Sequence, residues 1–251
     1  MSDSGKIKLA RLILERGEFD KISSKEKKRY IMLTFILRDL NLLQKCLVYS
    51  MNKKPSEKPL ISANTTVHFF FLKTLISKIY EMWKFLTKNG ILDNHRTFPK
   101  ELKAKRDEIQ AFFSDEKVKK IFSFIRNKFG FHYEYEDKVD FLIDEAMKSF
   151  NQFEMWLSTQ DSGNEIFASS NAVTLKVIFL KMSDLGFEGD DRILMKKIFD
   201  LGLNGARIFR EFTVSYIVGE AFPIKWHRKE EIEIAAPSIS EVHLPLMVKG
   251  E

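Results

Sequence analysis

Apolar residues recur along the first half of this chain at the spacing of helix faces. After the serine-rich start Ser23-Ser24-Lys25-Glu26, the positions Tyr30, Leu33, Ile36, Leu37, Leu40, Leu43 and Leu47 fall on one side of a helix. Pro55 and Pro59 mark a loop. A second long helix is expected from about residue 62 to 88. Its apolar residues Phe69, Phe70, Leu72, Leu75, Ile76, Ile79, Met82, Trp83 and Leu86 cover more than one face, as in a central, buried helix. Asn89-Gly90 supplies the stop. A shorter helix over 100–113 carries Lys103, Lys105 and Arg106. Ser114-Asp115-Glu116 then caps another, which turns Val118, Ile121, Phe122 and Ile125 inward and ends at Gly130.

The next helix is expected to begin near Glu136-Asp137 and to carry Phe141, Leu142, Ala146, Phe150, Phe153 and Trp156. The polar run 160–164 contains Gly163 and offers the best internal boundary. Beyond it the pattern predicts a short strand over 165–170. The apolar run 172–183 fits helix or strand, and 184–191 is an acidic, glycine-containing loop. Two helices follow, over 191–201 and 204–222. In the tail, Glu231-Ile232-Glu233-Ile234 alternates like a strand, with Pro237 and Pro245 interrupting it, as in an extended arm or edge strand. The expected class is mainly α, with a small extended or β arm at the C-terminal side. The segments are 1–23, a helical bundle over 24–158, and a helical extension with a tail over 159–251, packed on the bundle.

Composition narrows the function classes. The chain has 251 residues, 44% hydrophobic and 30% charged, which is ordinary for a folded protein. Its single cysteine, Cys46, excludes an intrachain disulfide and a thiolate-rich metal site, and its apolar helical surroundings read as packing. A net charge of +6 suits a polyanion, although lysines on solvated helix faces give the same total. The first ten residues lack a signal-peptide core, and no apolar run spans a bilayer, so the expectation is a cytoplasmic protein without membrane contact. No phosphate loop, dinucleotide fingerprint or serine elbow is present, and no cofactor is implied.

The segment Ile125-Arg126-Asn127-Lys128-Phe129-Gly130-Phe131-His132-Tyr133 holds the candidate chemistry. Arg126, Asn127 and Lys128 fall in the last turn of a helix, where exposed carbonyls favour cations. Gly130 permits a left-handed stop, after which His132 can fold back beside Arg126. A guanidinium fork can grip a phosphate and stabilise its growing charge. An imidazole that titrates near neutrality can move the proton of a 2′-hydroxyl. Asn127 can orient either partner, while Lys128, Phe131 and Tyr133 are candidates to contact RNA through charge and stacking. None of the metal-ligand spacings occurs in the segment.

Arginine, a polar residue directly after it and histidine five residues further on resemble the R-x(4–6)-H signature of the HEPN superfamily. The resemblance covers about residues 24–156. It implies a bundle of two long helices with shorter ones, and a metal-independent endoribonuclease with Arg126, Asn127 and His132 as its catalytic set. It further implies a homodimer with a composite cleft, in a defence or toxin–antitoxin setting that includes a protein antitoxin.

Other readings of the same residues stay open. Arg126 can pair with Glu134, Glu136 or Asp137, Asn127 can cap its helix, and His132 can pack between aromatics. The chain would then be a non-catalytic RNA-binding, protein-interaction or dimerisation module. His68, beside three phenylalanines, reads as a partly buried core histidine, His95 as surface, and His243 as a tail residue without an obvious partner. Trp226-His227-Arg228-Lys229 is a basic aromatic patch of the kind that is usually solvated. The loop 184–191 lacks calcium-ligand spacing.

Overall fold

A computed structural model describes residues 6–51, 55–93, 98–130, 137–156, 166–219, 221–223, 226–237 and 241–242. The fold is mainly helical, with one small antiparallel sheet. Strand β1 (Lys6–Ile13) leads into α1 (Arg16–Lys21), α2 (Ser24–Met51), α3 (Lys58–Lys88), α4 (Lys100–Ser114) and α5 (Glu116–Ile125). A π-helical turn, Arg126–Gly130, ends α5. Then come α6 (Asp137–Met147), α7 (Ala168–Asp184), α8 (Asp191–Val218) and β2 (His227–Ala235).

Helix α3 is the axis of the molecule. Leu75, Ile76, Ile79, Met82 and Leu86 are fully buried along it, and α2, α5, α7, α8 and the π-helical turn all pack on it. It begins earlier than its apolar pattern suggests, because Pro59 sits in its first turn rather than in a loop. Proline costs nothing there, since the first amides of a helix have no partner to lose. Its other end is tied to α2: Arg29 donates to the carbonyl of Asn89 at 2.5 Å, a cation on the last turn of a helix. Gly90, at φ 64°, turns the chain away.

The aromatic residues lock the helices together. Trp83 of α3 stacks on Phe113 of α4 at 4.7 Å, and Phe113 meets Phe122 of α5 and Phe209 of α8 edge to face. The buried core runs without interruption from Ile22 to Phe222, so α7 and α8 belong to the same core as α2–α5.

Where two helices were expected over 191–222, α8 runs unbroken to Val218. Its glycines are contact points rather than breaks. A β-carbon on Gly202 would lie 3.1 Å from Leu72 Cδ1, and one on Gly205 3.2 Å from Ile79 Cδ1 and 3.3 Å from Phe112 Cζ. Helix α8 therefore lies so close to α3 that a larger residue at either position must push its neighbours back by a few tenths of an ångström. Gly205→Val is expected to destabilise the fold by about 1–3 kcal/mol through overpacking, read as a lower urea midpoint. An unchanged midpoint would show that the two helices have slack.

The 137–156 stretch is also shorter as a helix than its pattern. Helix α6 stops at Met147, where Ser149 and Phe150 donate to the carbonyls of Ala146 and Met147 in a tight final turn. Phe150, Phe153 and Trp156 lie beyond it. The expected strand over 165–170 shrinks to one bridge. Trp156 and Ile166 exchange backbone hydrogen bonds of 2.9 and 2.8 Å, and α7 begins two residues later. The boundary 160–164 lies outside the described residues, and the ambiguous run 172–183 is helical.

The C-terminal alternation does form a strand, and its partner is the segment near the N-terminus. Ile7 faces Ile234 and Leu9 faces Ile232 in an antiparallel ribbon, while Arg11 donates to Glu230 at 2.8 Å. Trp226 roots the ribbon in the bundle. Its indole donates to the Ile217 carbonyl at 2.9 Å and its ring packs against Tyr30. No helix among the described residues is long and apolar enough to cross a membrane.

Candidate functional site

Helix α5 positions Arg126. Asp115 caps its start by accepting from the Lys117 amide, and Val118, Ile121, Phe122 and Ile125 bury one face. At Arg126 the helix widens into the π-helical turn, which carries Arg126, Asn127, Lys128, Phe129 and Gly130. Such turns insert a residue into the helical ladder and re-aim the side chains that follow. All five residues are half-buried, at the edge of the core rather than inside it.

Two residues of α3 seat this turn. Ser77 is fully buried and its hydroxyl donates to the Lys73 carbonyl. A β-carbon on Gly130 would lie only 2.1 Å from Ser77 Oγ. The glycine is therefore required for close approach. Its φ is not in the left-handed region, contrary to the expected left-handed stop. One turn along α3, Glu81 Oε1 lies 2.5 Å from Arg126 Nε, as an ion pair without the alignment of a hydrogen bond.

The guanidinium has a second contact. Arg126 Nη1 donates to Asn127 Oδ1 at 2.8 Å, and Asn127 Nδ2 reaches Ser123 Oγ at 3.4 Å. Asn127 thus orients Arg126 instead of capping the helix. Glu81 holds one edge of the fork and Asn127 the next, so Nη2 is left without a partner among the described residues. The Arg126 side chain is 20% exposed. Such a group can accept one anionic oxygen without breaking its supports.

The structure brings Arg126, Asn127 and Lys128 together on one turn. Phe131, His132 and Tyr133 lie outside the described residues, as do Glu134 and Glu136, two of the acids considered as partners of Arg126. Ser77, Ser123 and Glu81 were missed in the sequence. Helix α3 carries many polar residues, so nothing in the sequence singles out Ser77 and Glu81 among them.

Of the remaining candidates, His95 and His243 lie outside the described residues, and those that are described have structural uses. His68 is half-buried, edge to face with Phe199, and Asn64 one turn away is buried. Burial lowers the His68 pKa below its ordinary value, against a hydrogen bond to the Ser50 backbone carbonyl that raises it. The unfolded chain therefore takes up this proton first, near pH 6.5. Stability is complete above that pH and falls as the pH drops through it, until the folded form titrates as well. Melting temperature is expected to decline between about pH 7.5 and 5.5, and more steeply than in His68→Gln. Parallel profiles would remove His68 as the cause.

Burial raises the Cys46 thiol pKa, in keeping with a packing role. In the basic cluster of α4, Lys105 pairs with Glu101, and Arg106 is buried against Asp107 and the Leu92 carbonyl. Trp226 of the basic aromatic patch faces inward, as described above. Compared with protein-family models, curated proteins and solved structures, the chain matches none, so the case for this site rests on its own residues.

Proposed function

We propose that the chain is a HEPN-type endoribonuclease, in which the turn at the end of α5 grips the phosphate next to a reactive 2′-hydroxyl. The observation that carries this reading is the posture of Arg126. It is held at Nε by Glu81 and at Nη1 by Asn127, with no partner for Nη2 among the described residues and the side chain partly exposed. An arginine fixed on two sides stabilises charge that develops at its third without reorganising. The resemblance assigns the proton transfers to His132 and further RNA contacts to Lys128, Phe131 and Tyr133. In this scheme the 2′-oxygen attacks the phosphorus, the 5′-oxygen leaves, and the product ends in a cyclic phosphate. A homodimer would bring two such turns to one cleft, and a protein antitoxin would be a natural partner.

The test uses purified protein with single-stranded and structured RNA in EDTA, beside His132→Ala. Cleavage by the parent chain, with cyclic-phosphate ends and strong loss in the variant, is the expected result. Equal residual cleavage in both would identify a contaminant and end the proposal.

One observation favours a second reading, a non-catalytic RNA-binding or protein-interaction module. Glu81 already neutralises much of the Arg126 charge. RNA binding without cleavage in the same assay would select it.

A further inference from the structure

We infer that the groove between α6 and α7 docks a cationic amphipathic helix of a protein partner. The groove encloses about 520 Å³, and its walls are mostly apolar. Phe129, Met147, Phe153, Met155 and Phe167 supply its large apolar lining together with Ile143. Four of these large side chains stand in solvent, with Phe153 60%, Phe167 54% and Met155 52% exposed. Soluble chains seldom leave phenylalanine and methionine clustered in the open unless something covers them. Flexible methionines beside aromatics suit the apolar face of a helix, which offers anchors at i, i+3 or i+4, and i+7.

Charge selects the kind of helix. Ile143 and Met147 of α6 line the groove, and at 100° per residue Asp140 and Asp144 stand next to them on the solvent side. Neither aspartate forms an ion pair with a described residue. Glu154 also lines the groove, although Lys58 and Gln152 already engage it. No lysine or arginine lines it among the described residues. An acidic rim repels the phosphates of RNA and attracts a basic face. A partner seated there also touches Phe129, which belongs to the same turn as Arg126.

The probe is a fluorescein-labelled peptide of about 18 residues, with lysine and leucine placed to give one basic and one apolar face over about five turns of helix. Two controls carry the same residues in scrambled order, and glutamate in place of lysine. Fluorescence anisotropy is expected to give saturable binding of the first peptide alone. Asp140→Lys with Asp144→Lys should weaken it about tenfold or more. Phe153→Ser with Met155→Ser, both at exposed positions that do not threaten folding, should do the same. Comparable binding of either control, or indifference to both double variants, would overturn the proposal. So would Phe153→Ser with Met155→Ser weakening a single-stranded RNA but not the peptide, which would make the groove a base-binding site. A self-association abolished by those two changes would overturn it as well, by making the occupant a second copy. None of these readouts depends on RNA cleavage.

Discussion

Arg126→Ala is expected to reduce RNA cleavage about 100-fold to 1000-fold, the usual cost of removing one preorganised donor from a developing anion. Arg126→Lys should recover little. A lysine keeps the charge but not the planar fork that Glu81 and Asn127 hold on two sides. Glu81→Gln should cost less, about tenfold, because the amide still offers Arg126 an oxygen while the restraint on its direction weakens. Single-turnover cleavage of a labelled single-stranded RNA measures all three. Arg126 Nε and Glu81 Oε1 are buried, so removing either partner is expected to cost some stability. Cleavage is therefore compared without denaturant, where circular dichroism establishes that each variant is folded. Arg126→Ala cleaving at the parent rate would leave the turn as a structural feature with no part in phosphate chemistry.

Phe122→Ala is expected to lower folding stability by about 3–5 kcal/mol, a large part of the roughly 5–15 kcal/mol typical of a folded chain. The ring is fully buried and lies edge to face with Phe112 and Phe113 at 5.6 and 5.8 Å. Truncation removes a large apolar group and leaves a cavity where α4, α5 and α8 meet. Phe122→Leu fills most of that space and should cost about 1.5 kcal/mol or less. Urea denaturation with an unchanged slope gives both values. A midpoint within about 0.5 kcal/mol of the parent would mean that the aromatic cluster repacks without this ring.

The helices with one clear apolar face were legible in the sequence. Helices α2 and α5 start and end close to where serine, aspartate and glycine signals place them, because a cap acts on its own helix and needs no distant partner. Gly202 and Gly205 misled for a physical reason. Glycine both ends helices and lets them approach, and only the position of Leu72, Ile79 and Phe112 distinguishes the two. Phe150, Phe153 and Trp156 kept a helical spacing past the end of α6. Their segment is instead held by α7, where the Ser169 amide donates to the Glu154 carbonyl at 3.1 Å. Strand β1 went unseen because alternation in Lys6–Ile13 means little until β2 is beside it.

The candidate site divides in the same way. Arg126, Asn127 and Lys128 are consecutive, so a helix end gathers them without tertiary information. Glu81 and Ser77 act from α3, and nothing local announces that Gly130 will press against one and Arg126 pair with the other. The exposed groove between α6 and α7 was equally hidden, since Phe153 was expected on a continuing helix and nothing local brings Met147, Met155 and Phe167 beside it.

The β1–β2 ribbon fixes an order of events in folding. Arg11 and Glu230 are 219 positions apart, so their pairing closes a loop almost as long as the chain. Helices that neighbour one another in sequence meet long before such a closure is affordable in entropy. The ribbon is thus a clasp fastened onto a finished bundle. Before it fastens, Ile7, Leu9, Ile232 and Ile234 are carried on two separate sticky strands, each free to zip onto a neighbouring molecule in a crowded refolding mixture.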